Sequence, residues 1–86
     1  MAKLVQKDPT LRLYVVGHTD NVGSVNSNMD LSQRRAAAVQ KSLTTDYGVP
    51  SAVLVGSFGA GPYAPVASNS DEDGRAHNRR VELVAQ

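Results

Sequence analysis

Apolar and polar positions recur along this chain with two different periods, and each change of period marks an element. Leu11 to Val16 reads as a strand, with Leu11, Leu13 and Val15 on one face and Tyr14 and Val16 on the other. Apolar residues on both sides predict a strand largely buried on both faces. Gly17-His18-Thr19-Asp20 follows at its C-terminal end, and Asn21 to Asn28 reads as a polar loop. The period then becomes helical. Ala36, Val39, Leu43 and Tyr47 recur at spacings of three and four, and Ser32 is suited to cap the N-terminus of that helix. Gly48 is its natural stop, with Pro50 two residues beyond. Val53 to Phe58 is a second strand, and Gly59 to Asn69 is a loop stiffened by Pro62 and Pro65. Ser70 to His77 predicts a short, acidic-capped turn or helix, and Arg80 to Val84 a final strand. Met1 to Lys7 has helical composition and reads as the last turns of a longer helix, ended by Asp8-Pro9. A strand-helix-strand unit makes a parallel pair with a right-handed crossover, so three strands give a thin sheet. The half-helix at the start carries the expectation that a preceding strand is missing.

Composition narrows this picture. With 86 residues the chain is one small domain, residues 1–86, with a modest core and correspondingly marginal stability. Nine Lys and Arg stand against eight Asp and Glu, a net charge of +1, which argues against a general nucleic-acid or membrane-surface binder. No apolar run of about 18 residues occurs, and Met1-Ala2-Lys3-Leu4 does not open a signal peptide. Cysteine is absent, which removes disulfides, thiolate metal sites and thiol nucleophiles together.

The chemistry on offer is polar and charged. Asp20 leaves the C-terminal end of a strand, where ligands of open α/β sheets bind. Arg35 falls in the first turn of the predicted helix and flanks its apolar stripe, with Val39 at i+4. A cation there opposes the helix dipole, and a residue that breaks a local rule is a functional candidate. On the residues alone, a ligand-free Asp20–Arg35 surface salt bridge, worth about 0–1 kcal/mol, is the heavier reading. Thr19 and Asn28 can satisfy loop amides or a ligand's backbone groups. Leu31, just before the Ser32 cap, is expected to pack as a hydrophobic staple.

His18 would need partners to hold a metal. His77 is the only other histidine, so no metal site assembles, and a hydrogen bond from His18 to loop backbone is expected instead. Asn78-Arg79-Arg80 falls short of a nucleic-acid patch, since no aromatic platform accompanies it. Strand alternation sends Arg79 and Val81 to one face and Arg80 to the other. Asp71-Glu72-Asp73 caps the short helix or neutralises these arginines, and Arg75 has no assigned role. No Gly-x-Ser-x-Gly elbow and no paired carboxylates in an apolar setting are present, so the chain is not expected to be an enzyme.

Taken together, several short pieces run in one order across most of the chain. They are Gly17-His18-Thr19-Asp20 with Gly23, Asn28, Leu31-Ser32 with Arg35-Ala36 and Val39, and Gly48-Val49. Further on come Gly56 with Phe58-Gly59, Pro65 through Asn69, Gly74-Arg75-Ala76 and Asn78-Arg79-Arg80-Val81-Glu82. With these residues the chain resembles the OmpA C-terminal family, which includes peptidoglycan-associated lipoproteins and the wall-binding part of flagellar stator proteins. The resemblance implies an α+β fold, an α/β sandwich in which a βαβ-containing small mixed sheet carries its helices on one face. Here it would be truncated at the N-terminus.

It also implies non-covalent binding of the peptidoglycan stem peptide through diaminopimelate, with Asp20 and Arg35 in the family's two ligand positions. A carboxylate suits the ligand's ammonium, and a guanidinium grips its carboxylate with two parallel N–H bonds. Thr19, Asn28, Leu31 and Arg79 are the expected supporting residues, Arg79 being the arginine of its motif expected near the pocket, in support of either Asp20 or the stem peptide. The implied setting is the periplasm, with the parent protein anchored to the wall or outer membrane. No cofactor, metal, nucleic acid or membrane insertion is implied. The alternative is an oligomerisation module, since an exposed sheet edge recruits a second copy into a homodimer.

Overall fold

A computed structural model describes residues 10–86. The partial helix expected over Met1–Lys7 lies outside the described residues. Five elements follow in order: β1 (Leu13–His18), α1 (Val25–Thr45), β2 (Leu54–Gly61), α2 (Glu72–Asn78) and β3 (Val81–Ala85). The sheet order is β2-β1-β3. β1 runs parallel to β2, with Val15 opposite Ser57, and antiparallel to β3, with Val15 opposite Leu83. The fold is a small mixed α+β domain, and the expected βαβ unit is β1-α1-β2.

The core lies between β1 and α1. Leu13, Val15, Ala36, Val49, Val53 and Leu54 are buried, and Leu11, Val39, Leu43, Val81 and Leu83 close around them. Gly17 is where strand and helix come closest. A Cβ built there would stand 2.2 Å from the Ser32 carbonyl oxygen, so only glycine lets β1 pass. Ser32, fully buried opposite it, donates its hydroxyl to the Met29 carbonyl at 2.9 Å and accepts from the Gly61 N–H at 3.0 Å. That hydroxyl ties the middle of α1 to the end of β2.

Ser32 is therefore not the N-cap. α1 begins two turns earlier, capped by Ser24, whose hydroxyl accepts from the Ser27 N–H at 3.1 Å. Val25 to Asn28 reads as loop because it is polar, but its exposed side belongs to solvent and its buried side carries Asn28 rather than an aliphatic residue. Leu31 is consequently a half-buried mid-helix residue and not a staple before a cap. Tyr47 also leaves the expected stripe. The helix ends at Thr45 with Asp46 as C-cap, Tyr47 is 67% exposed, and Val49 fills the core instead. Gly48 does take the left-handed backbone expected of a stop, with φ of +67°.

The second face of β1 is more open than its apolar residues suggest. Tyr14 and Val16 are only half-buried, and Phe58 and Val84 beside them in the sheet are exposed. The Tyr14 and Phe58 rings meet edge-to-face at 5.6 Å. α2 is fastened to the preceding loop. Asn78, fully buried, accepts from the Val66 and Ala67 N–H groups (2.8 and 3.1 Å) and donates to the Ala67 carbonyl and Asn69 Oδ1 (3.0 and 2.8 Å).

Candidate functional site

β1 ends between its two neighbours. The His18 N–H donates to the Arg80 carbonyl on the β3 side (2.7 Å), and the Thr19 N–H donates to the Gly61 carbonyl at the end of β2 (2.9 Å). This delivers Asp20 to the C-terminal edge of the parallel pair, a usual ligand position in such sheets. Thr19 donates its hydroxyl to the Asp20 carbonyl at 2.8 Å. Asn28, from the first turn of α1, donates to the Val22 carbonyl at 2.9 Å and at longer range, 3.4 Å, to that of Asp20. Thr19 and Asn28 thus hold the backbone that carries Asp20.

The Asp20 side chain is buried and fully organised. Oδ1 accepts from the Val22 N–H at 3.0 Å, closing an Asx turn, and Oδ2 accepts from Nη1 of Arg79 at 2.7 Å. The Arg79 hydrogen bond first, and the Val22 N–H second, hold its pKa below the usual aspartate value against a smaller opposing effect of burial. Asp20 is therefore a carboxylate with one lone pair left on each oxygen.

Arg79 is shared. Its Nη2 reaches Oε1 of Glu72 at 2.5 Å, and Glu72 also accepts from Nε of Arg75 at 3.2 Å. Arg75 in turn donates to the Asn69 carbonyl at 3.0 Å. Glu72 has its pKa lowered by Arg79 and then by Arg75, and that of Arg79 is raised by Glu72 and then by Asp20. The acidic run is divided: Asp71 caps α2 through the Gly74 N–H at 2.7 Å, and Glu72 serves the arginines.

Arg35 stands differently from its sequence-based expectation. It lies about three turns inside α1 rather than in the first turn, so the dipole argument for it no longer applies. It is exposed, and no salt bridge joins it to Asp20, whose partner is Arg79. It sits seven residues beyond Asn28, about two turns or ~10 Å along the same side of the helix, with Leu31 between. Arg35 is the one arginine among the described residues without a hydrogen bond or ion pair; its neighbour Arg34 pairs with Asp30 at 2.9 Å. The structure brings Asp20, Thr19, Asn28 and Arg79 into contact. Leu31 and Arg35 belong to the adjoining flank of α1.

His18 departs from expectation too. It is buried, yet neither ring nitrogen finds a hydrogen-bond partner among the described residues, and Glu82 lies 3.9 Å away. Burial first, then Arg80, lowers its pKa, while Glu82 opposes them. Arg80 pairs with Glu82 and donates to the Ala64 carbonyl at 2.9 Å. No cluster of three or more His, Cys, Asp or Glu residues suited to a metal occurs among the described residues. The expected neutralisation of the arginines by the acidic run falls to Glu72, while Asn78, named only within a basic cluster, proves to be the buried anchor of the 66–69 segment.

Comparison with known proteins places these features in context. The family model described as the OmpA family matches residues 1–79. Outer membrane porin F of Pseudomonas aeruginosa is 44% identical over the whole chain, which covers 24% of that protein. The peptidoglycan-binding protein ArfA of Mycobacterium tuberculosis is 42% identical over 88% of the chain, which covers 23% of it. The chain thus spans about a quarter of the length of these relatives. Among solved structures, the peptidoglycan-associated lipoprotein of Burkholderia pseudomallei superposes with a TM-score of 0.87 at 35% identity, covering 99% of this chain and 70% of that one.

Proposed function

The chain belongs to the OmpA family, and from that premise we propose that it binds peptidoglycan non-covalently and anchors an envelope protein to the bacterial cell wall. The ligand group is the diaminopimelate of the stem peptide, whose free end carries one ammonium and one carboxylate. Asp20 receives the ammonium on its remaining lone pairs, and Arg35 grips the carboxylate in a bidentate fork. Thr19 and Asn28 fix the Asp20 backbone, Leu31 lines the flank between the two charges, and Arg79 orients the Asp20 carboxylate. No bond is made or broken, and the role is periplasmic anchoring rather than catalysis. ArfA and the Burkholderia lipoprotein, whose names state peptidoglycan association, support the wall as partner.

One observation carries the residue assignment. Arg35, on the flank of α1 two turns beyond Asn28, is the one arginine without a partner among the described residues, and the Asp20 carboxylate is already held in place. The test is co-sedimentation with purified sacculi. Asp20→Ala and Arg35→Ala should each remove binding, a loss of about 2–5 kcal/mol, while circular dichroism stays native. Binding retained by both variants would defeat the assignment, and release of muropeptides would defeat the non-enzymatic reading. A titration with a diaminopimelate-containing stem peptide against a lysine-containing one tests the ligand group.

The second reading, an oligomerisation module, draws on the sheet edges. Gln33 of α1 takes up the Ser57 carbonyl and the Gly59 N–H of β2 at 2.9 and 2.8 Å, which blunts that edge. A homodimer would therefore form through β3. Light scattering on the same samples decides it, a monomer mass excluding the dimer.

A further inference from the structure

We infer that Glu72 is a positioning residue of this site: by holding one arm of the Arg79 guanidinium, it limits Arg79 to a single hydrogen bond on Asp20 and leaves that carboxylate open to a ligand's ammonium. The inference rests on the wall-binding reading for its ligand, but not for its geometry.

An arginine facing one carboxylate favours the paired fork, one N–H on each oxygen. Arg79 does not do this. Nη1 is on Oδ2 of Asp20 at 2.7 Å and Nη2 is on Oε1 of Glu72 at 2.5 Å. Oδ1 of Asp20 takes the Val22 N–H instead. Each Asp20 oxygen so keeps one lone pair, whereas a bidentate Arg79 would occupy a second position on Oδ1 and leave a single one for the whole group.

Glu72 is itself held. It opens α2 beside the Asp71 cap, and Nε of Arg75 grips its other oxygen at 3.2 Å. The line Asp20–Arg79–Glu72–Arg75 alternates in sign and sums to zero. Glu72 brings a negative charge of its own, but its hydrogen bond to Arg79 also fixes where that guanidinium is kept. A long-range field effect would act whether or not Arg79 were present. This difference makes the idea testable.

The experiment is a double-mutant cycle on the described chain, titrated with a diaminopimelate-containing stem peptide. Glu72→Ala should weaken binding about threefold to tenfold in the native background and leave it unchanged in the Arg79→Ala background. Glu72→Gln, which keeps an oxygen acceptor for Nη2, should restore most of the loss. An equal loss in both backgrounds, or no loss in either, overturns the inference. Carboxyl ¹³C titration of Asp20 in the free protein supplies a readout without ligand. Glu72→Ala should move its midpoint further down, as Arg79 adds its second arm, with no change in the Arg79→Ala background. A midpoint that rises, or stays put, overturns the inference as well. If the native chain binds no stem peptide, the wall-binding reading fails and the Asp20 titration alone decides the role of Glu72.

Discussion

Asn78 is the residue whose loss should tell most about how this site is supported. Its side chain is wholly buried at the last turn of α2 and makes four hydrogen bonds to the 66–69 segment: two accepted from Val66 and Ala67, two donated to Ala67 and Asn69. Asn78→Ala removes all four. A hydrogen bond contributes about 0.5–1.5 kcal/mol net, and the groups left behind are only part-buried and regain some water. The expected loss is therefore about 2–4 kcal/mol. A domain of 86 residues has only about 4–13 kcal/mol in total, so the variant should be folded but visibly weakened. Urea unfolding should show a lower midpoint with an unchanged slope, since the same surface is exposed. Arg79 follows Asn78 directly, so sacculus binding should fall as well, even where the variant remains folded. A loss below about 1 kcal/mol would refute the idea that Asn78 anchors this corner.

Two further predictions concern the frame. Gly17→Ala places a methyl group 2.2 Å from backbone oxygen, which no rotamer can relieve, so β1 and α1 must part; thermal unfolding should report a loss of about 3 kcal/mol, and a loss within error would show the contact to be soft. The second concerns pH. Burial lowers the pKa of His18, so the unfolded chain binds its proton more readily than the folded one. Stability from this residue is then complete above its ordinary value of 6.5 and declines as pH falls below it, toward the folded midpoint. Urea midpoints for the native chain should drop as pH falls below about 6.5, and His18→Leu should flatten that drop; equal slopes would count against it. The lowered carboxylates Asp20, Glu72 and Glu82 begin to lose their contribution only as pH falls below the ordinary carboxylate range, so the decline due to His18 sets in at higher pH than theirs.

The elements of this fold could be read from its apolar periods, and their ends could not. β1, β2 and β3 appear where alternation or apolar runs put them, each displaced toward the C-terminus by one to three residues at both ends. The displacement has a cause. Gly17-His18 and Gly59-Ala60-Gly61 are poor strand formers by themselves, yet they stay in the sheet because their neighbours pair with them. The start of α1 was hidden for a related reason. Its first turn is Val25-Asn26-Ser27-Asn28, and the buried position carries an asparagine that bonds the Asp20 loop instead of an aliphatic side chain that packs. Periodicity of apolar residues cannot register a polar contact of that kind. Ser32 misled in the opposite direction. A serine four residues before the first position of a helical stripe looks like a cap, but here it is the small residue on which β1 and α1 close.

Asp20 is where the whole chain converges, and this decides how its substitution should be read. Its backbone is held by Thr19 and by Asn28 of α1, its strand ends on hydrogen bonds to Gly61 of β2 and Arg80 before β3, and its side chain meets Arg79 at the end of α2. Asp20→Ala therefore does two things at once. It deletes the charge that would face a ligand, and it leaves the Val22 N–H and one arm of Arg79 without acceptors. Each orphaned partner costs free energy of folding, so Asp20→Ala lowers stability as well as binding even while its circular dichroism stays native. Asp20→Asn separates the two effects. Its side-chain oxygen can still accept from Val22, which keeps the turn, while the negative charge is gone. If the charge is what the ligand requires, Asp20→Asn should match Asp20→Ala in sacculus binding and exceed it in stability. If the two differ in binding as they do in stability, Asp20 serves the fold and the ligand contact lies elsewhere.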